Sequence, residues 1–147
     1  MRMPTTLLLA VLASMCLPAF AADDTPVGLW KNIDDNTGKP TALIRISESN
    51  GVLEGKIEKL FRPADQDQNP LCLKCEGALK DQPIIGMAIL SGLKKSGDEY
   101  SGGQILDPGN GKVYKSKLTL ADGGKKLNVR GYIGMPMLGR SQVWVRE

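Results

Sequence analysis

Two cysteines, Cys72 and Cys75, stand two residues apart in the segment NPLCLKCEG. This spacing serves three kinds of chemistry: a redox pair, half of a metal site, or a local disulfide. The chain contains no histidine, which removes the usual base of thiol and serine hydrolases and the commonest ligand of transition metals. An enzyme would have to rely on carboxylates, lysine or tyrosine. The composition therefore disfavours an enzymatic function, and we assign no catalytic residue.

The surroundings of the pair favour the disulfide. A redox pair usually lies at the start of a helix, whose dipole lowers the pKa of one thiol. Here a proline-bearing polar loop precedes Cys72, and Gly77 follows Cys75 closely. A zinc site needs four ligands, so nearby carboxylates or a second copy of the chain would have to complete it. We predict a Cys72–Cys75 disulfide, worth roughly 2 kcal/mol, with no metal or other cofactor. The redox and zinc sites remain alternatives.

The N-terminal residues 1–21 have the pattern of a secretory signal peptide. Arg2 provides a positive start, a short apolar run follows, and AFA ending at Ala21 forms a small-x-small cleavage site. Lipidation of Cys16 is the alternative. Cleavage after Ala21 leaves one domain, residues 22–147, in the periplasm or outside the cell. That compartment suits a disulfide.

The charges exclude one class of partner. The full chain carries a net charge of +3, and its lysines are scattered among acidic residues. Nucleic-acid binding requires a basic stripe, so we expect no nucleic-acid partner. We expect no transmembrane segment in the mature chain, and no feature points to a particular oligomeric state.

The elements that position these residues are short strands. The 17 glycines and 9 prolines fall between apolar runs, which is typical of an all-β protein. The predicted strands are residues 28–33, 41–48, 52–61, 84–90, 99–107, 112–121, 125–134 and 140–147. Eight antiparallel strands with one apolar face each need a sandwich or a closed barrel. We favour a single eight-stranded antiparallel β-barrel. Outward lysines and 5% aromatic residues argue against an outer-membrane barrel.

Two details resemble the lipocalin superfamily. Gly28, Leu29 and Trp30 form the Gly-x-Trp that opens lipocalin barrels. Arg146 stands where that superfamily often places an arginine over the tryptophan. The resemblance implies that Trp30 and Arg146 close one end of the barrel. Arg146 alternates with Trp144, so Arg140 is the alternative partner if that face points outward.

A broader resemblance covers nearly the whole mature chain. The blocks GLW, LEGKI, NPLCLKCEG, GGQILDPGNGKVY, LNVRGYIG and GRSQVWVR resemble the secreted bacterial family known as domain of unknown function 2147. The resemblance implies an exported protein with a lipocalin-like β-barrel. It implies no activity and no catalytic residue.

An eight-stranded barrel is just wide enough to be filled by side chains or to hold one small ligand. Tyr114 shares a face with Leu118, and Gly131 shares one with Val129, while glycine at position 55 or 131 would leave space. The candidate ligand-binding residues are therefore Tyr114, Gly131, Gly55, Leu118 and Val129. The predicted function is binding of a small apolar or amphipathic ligand. The alternatives are an envelope structural or interaction protein with a filled barrel and, less favoured, a thiol-redox protein.

Overall fold

The part of the chain that the structure describes forms eight antiparallel strands in a simple meander. The computed structural model describes residues 24–147. The strands are β1 (Gly28–Ile33), β2 (Pro40–Ser49), β3 (Val52–Leu60), β4 (Ala88–Ser96), β5 (Glu99–Asp107), β6 (Lys112–Ala121), β7 (Lys126–Tyr132) and β8 (Gly139–Arg146). Short 3-10 turns occupy Gly77–Leu79, Asp122–Gly124 and Pro136–Leu138.

The sheet closes on itself. Each strand pairs with the next, and β8 returns to pair with β1 through Trp30 opposite Arg146, Lys31 opposite Val145 and Asn32 opposite Trp144. Closure leaves no strand edge in the sheet that could pair with another chain. The prediction of an all-β, eight-stranded antiparallel barrel is confirmed.

The two ends of the barrel differ. At one end, here called the closed end, β2 and β3 are joined by Asn50 and Gly51, whose φ angles of 52° and 78° give the primed turn that suits a two-residue hairpin. The connections β4–β5 and β6–β7 lie at the same end and are also short. The opposite, open end carries the remaining four connections, including the long segment 61–87 between β3 and β4.

The core fills the closed half of the barrel. Side chains from seven of the eight strands meet there with no solvent exposure: Trp30, Ile44, Leu53, Leu90, Leu93, Leu118, Leu127 and Trp144. The alternation of apolar residues along each strand places them inside. This packed half holds the barrel together and leaves the open half to other uses.

The fourth strand corrects a prediction. It was expected over residues 84–90 but spans Ala88–Ser96, because Gly86 has a φ of 89° and lies in a turn instead of a strand. Leu90 and Leu93 both face inward although they are three residues apart. An extra residue at Ser91–Gly92, where Gly92 has a φ of 73°, makes this possible. The bulge breaks the two-residue alternation that would have revealed the strand.

Within residues 24–147 no helix is long and apolar enough to cross a membrane. The predicted signal peptide, residues 1–21, lies outside the described residues.

Candidate functional site

A cavity of about 860 Å³ occupies the open half of the barrel. Its deeper wall is formed by inward-facing residues of the strands: Asn32, Ala42, Ile44, Ile57, Ile89, Ile105, Tyr114, Val129, Gly131, Gln142 and Trp144. Its outer part is formed by the segment 61–87, the β5–β6 turn and the start of β8. The size lies within the range of small-molecule binding sites.

The strand β8 lines the barrel along its whole length. Arg140 pairs with Gly131, Gln142 with Val129 and Trp144 with Leu127, so these residues of β8 follow one another down the same inner face. Trp144 is fully buried and also lines the cavity, which makes its ring part of the cavity floor. Its Nε1 donates a hydrogen bond to Gln142 Oε1 at 3.3 Å. A ligand that reaches the floor would therefore contact an indole ring.

Space beside the floor comes from Gly131. A Cβ at this position would lie 3.4 Å from Ile105 Cγ2 and 3.5 Å from Tyr114 Cβ, which is ordinary van der Waals contact. A small side chain is thus sterically compatible with the backbone, whereas a large one would project into the cavity. Tyr114 stands next to this space, and its hydroxyl accepts a hydrogen bond of 3.0 Å from Asn110 Nδ2 in the β5–β6 turn.

The predicted ligand-binding residues divide into two groups. Tyr114, Val129 and Gly131 line the cavity. Gly55 and Leu118 lie in the packed half instead, because they face inward at a different height in the barrel. A Cβ at Gly55 would lie 3.0 Å from Leu90 Cβ, so no room exists there, and Leu118 is fully buried in the core. Alternation along a strand identifies the inner face but not the position along the barrel axis.

The lining includes residues that were not among the predicted ligand-binding residues. Trp144, Ile105 and Gln142 follow the same alternation as core residues, so nothing in the local pattern distinguishes them. The individual residues that the segment 61–87 contributes were not predicted either, because an irregular loop has no period from which contacts can be inferred. Only the barrel closure, which sets the height of each strand, brings these residues together.

The segment 61–87 is here called the cystine loop. Cys72 and Cys75 are joined by a disulfide with a Cα–Cα distance of 5.4 Å. The loop folds back on itself through three backbone hydrogen bonds: Cys72 N to Gln82 O (2.8 Å), Asp81 N to Cys72 O (2.9 Å) and Ile84 N to Pro70 O (3.0 Å). Cys72 and Cys75 are only 0% and 3% exposed. Such burial does not favour thiol exchange, which needs an accessible sulfur.

The cystine loop rests on the β5–β6 turn. Cys72 Sγ lies 3.7 Å from Pro108 O. Gly111 has a φ of 73°, and a Cβ there would overlap the carbonyl oxygen of Lys74. The loop therefore needs glycine at this position to pack so closely. In this position Pro70, Leu71, Leu73, Lys74 and Ile84 of the loop line the cavity.

The closed end is sealed by Trp30 and Arg146. The guanidinium carbon of Arg146 lies 4.3 Å from the centre of the Trp30 ring, and Trp30 Nε1 donates to Pro26 O at 2.8 Å. Arg146 also donates to the carbonyl oxygens of Gly124 (2.9 Å), Val27 (2.9 Å) and Thr25 (2.7 Å). Both side chains point inward, so Arg140, at the other end of β8, does not take this place. The chain before β1 is thereby tied across the barrel.

Among residues 24–147, two side chains have clearly shifted pKa values, and both lie outside the cavity lining. Backbone N–H groups of Thr37 and Asn36 donate to the Asp34 carboxylate and lower its pKa. Partial burial, with a smaller effect of the Glu48 charge, raises the pKa of Tyr100. The cavity itself combines a mostly apolar wall with a few polar groups, which is the composition of a site that binds a small molecule.

This fold and cavity define a lipocalin-like barrel. The chain matches the model of the family described as uncharacterized protein conserved in bacteria (DUF2147) over residues 28–146, and it therefore belongs to that family. A solved structure, protein HP1028 from Helicobacter pylori, described as belonging to the lipocalin family, is similar with a TM-score of 0.69. The two share 18% sequence identity, and the match covers 82% of each chain. At this identity the likeness shows the fold. No curated protein matches the chain.

Proposed function

We propose that this protein is exported from the cytoplasm and binds a small apolar or amphipathic molecule in its barrel. The observation that carries the proposal is the cavity of about 860 Å³, with an apolar wall, a tryptophan floor and a cystine loop at its mouth. A barrel whose purpose was only structural would gain stability by filling this space, since unfilled volume forfeits packing energy.

The neutral fluorophore N-phenylnaphthylamine tests the proposal directly. Its emission rises in apolar surroundings, and we expect saturable binding in the micromolar range, about −8 kcal/mol. Gly131→Leu should weaken binding at least tenfold, because the new side chain occupies the space beside Ile105 and Tyr114. Lys126→Leu adds the same side chain on the exposed face of the same strand and serves as the matched control. Absence of saturable binding by the wild type overturns the proposal.

Export is supported by the signal-peptide pattern of residues 1–21 and by the disulfide, which forms in oxidising compartments. Expression of the full chain in a bacterial host, followed by mass spectrometry of the periplasmic fraction, tests it. The mature protein should begin at Ala22 and carry the intact disulfide. A diacylated species that begins at Cys16 would instead establish a lipoprotein.

A second candidate function rests on the β7–β8 connection. Ile133, Met137 and Leu138 there are 65%, 73% and 70% exposed, and exposed apolar residues in a cluster are typical of protein contact sites. An interaction protein would lose cross-links to an envelope partner in Met137→Ser, while its affinity for N-phenylnaphthylamine would stay unchanged. If Met137→Ser changes neither the cross-linking nor the affinity for N-phenylnaphthylamine, this candidate function is ruled out.

A further inference from the structure

The charged residues around the cavity are strongly biased towards one sign. Among residues 24–147, its lining includes the cations Arg62, Lys74 and Arg140 but a single carboxylate, Asp107. Asp107 already has a structural role, because its Oδ1 accepts a hydrogen bond of 2.8 Å from the backbone N–H of Gly109 and shapes the β5–β6 turn. The bias does not reflect a basic end of the molecule, since the four loops at the open end contain more acidic than basic residues.

No strong ion pair neutralises these three cations among residues 24–147. Arg62 donates from Nη1 to the backbone oxygen of Asp67 at 2.7 Å, and Arg62 and Lys74 have no carboxylate within ion-pair distance among residues 24–147. Arg140 has a long contact, 3.9 Å, to the exposed Asp35, and its charge also interacts with the nearby carboxylate of Asp34. A ligand carboxylate or phosphate at the mouth could therefore pair with these cations without displacing a strong ion pair.

The fold fixes two of these cations at the mouth. Lys74 lies inside the ring closed by Cys72 and Cys75, and its carbonyl is packed against Gly111, so its backbone cannot move away from the cavity. Arg140 pairs across the sheet with Gly131, which lines the cavity. Below both residues the wall is mostly apolar down to Trp144, although Gln142 and Asn32 contribute polar side chains to it. The polarity of the site therefore runs from a cationic mouth to an apolar floor.

We propose that the ligand is a single-chain amphiphile with an anionic head group, bound with its apolar tail on Trp144 and its head group among Arg62, Lys74 and Arg140. This inference rests on the proposed function and adds the class of ligand. A fatty carboxylate and a lipid monophosphate share the required chemistry. Both present an anionic head on one apolar chain.

Four twelve-carbon amphiphiles, each below its micelle-forming concentration, separate the possibilities by displacement of N-phenylnaphthylamine. Dodecanoate and dodecyl phosphate should bind at least fivefold tighter than dodecanol, and dodecyltrimethylammonium should bind weakest. The relative affinities of dodecanoate and dodecyl phosphate identify the preferred head group. Added salt should weaken only the anions, since exposed charges are screened. Equal affinity for dodecanoate, dodecyl phosphate and dodecanol, or tighter binding of the cation, overturns the inference and leaves the proposed function standing. If no amphiphile and no fluorophore binds, both fail.

Charge-removing variants locate the head group. Arg62→Gln, Lys74→Gln and Arg140→Gln should each weaken the better anion about two- to fivefold, as expected for partly exposed ion pairs. None should change dodecanol binding. Lys126→Gln, on the outside of β7, is the matched control and should change neither. If the three variants behave like Lys126→Gln, the head group lies elsewhere and the assignment of these residues is wrong.

Discussion

Replacement of Arg146 by alanine should destabilise the barrel by about 3 kcal/mol. A partly desolvated cation on a tryptophan ring contributes about 1–2 kcal/mol. Each of the hydrogen bonds from its guanidinium to the carbonyl oxygens of Thr25, Val27 and Gly124 adds about 0.5–1.5 kcal/mol. The full sum is not expected, because contacts made by one side chain are not independent and water can reach some of the carbonyls.

Urea unfolding followed by circular dichroism measures this loss. Arg45→Ala is the control, since Arg45 forms an exposed ion pair with Glu58 on the outside of the barrel and should contribute less than about 1 kcal/mol. Arg146→Lys should recover only part of the stability, because lysine keeps the charge but lacks the planar fork of donors. In a Trp144→Phe background, Arg146→Ala should also shift the emission of Trp30. A loss no larger than that of Arg45→Ala would refute the view that this residue seals the closed end.

Three further outcomes are expected. Thiol titration of the unfolded, unreduced mature protein should find no free thiol. Replacing Cys72 and Cys75 by serine should cost roughly 2 kcal/mol of stability or less, and circular dichroism should show that the barrel remains folded. A free thiol, or loss of the β-sheet spectrum, would contradict this expectation. Gly111→Ala should cost about 2 kcal/mol of stability and speed proteolysis of the cystine loop, because the new Cβ meets the Lys74 carbonyl. The control Gly51→Ala, at a similar φ with open space around it, should cost about 1 kcal/mol and leave proteolysis unchanged. Equal effects of the two variants would show that the loop contact is unimportant. Ser116→Ala should leave the urea midpoint unchanged or raise it, because the buried hydroxyl has no hydrogen-bond partner among residues 24–147, and a loss above about 1 kcal/mol would disagree.

The sequence was sufficient for the architecture. Strands such as Glu99–Asp107 and Lys112–Ala121 were predicted with their observed limits, because alternation and glycine-rich turns are local properties. The fourth strand was misplaced because its bulge at Gly92 breaks that alternation. For the cavity, the inner faces of β6 and β7 were identified correctly.

The depth of each residue in the barrel could not be read from the sequence. Gly55 and Gly131 both lie on inner faces, yet Gly55 packs against Leu90 while Gly131 lines the cavity. The difference depends on the register of neighbouring strands and on the cystine loop, which joins the wall through contacts distant in sequence. The residues next to either glycine in the sequence give no indication of these contacts.

The pairing of β1 with β8 has a consequence for how the chain folds. Arg146 bonds to Thr25 and Val27, which precede it by 121 and 119 residues, so the closed end joins the two extremes of the domain. Contacts of such long sequence separation form late, because the intervening chain must be ordered first. Throughout synthesis the seven earlier strands can pair only as an open sheet, with the edges of β1 and β7 unprotected. The barrel can therefore close only after β8 has been synthesised and has paired with β1.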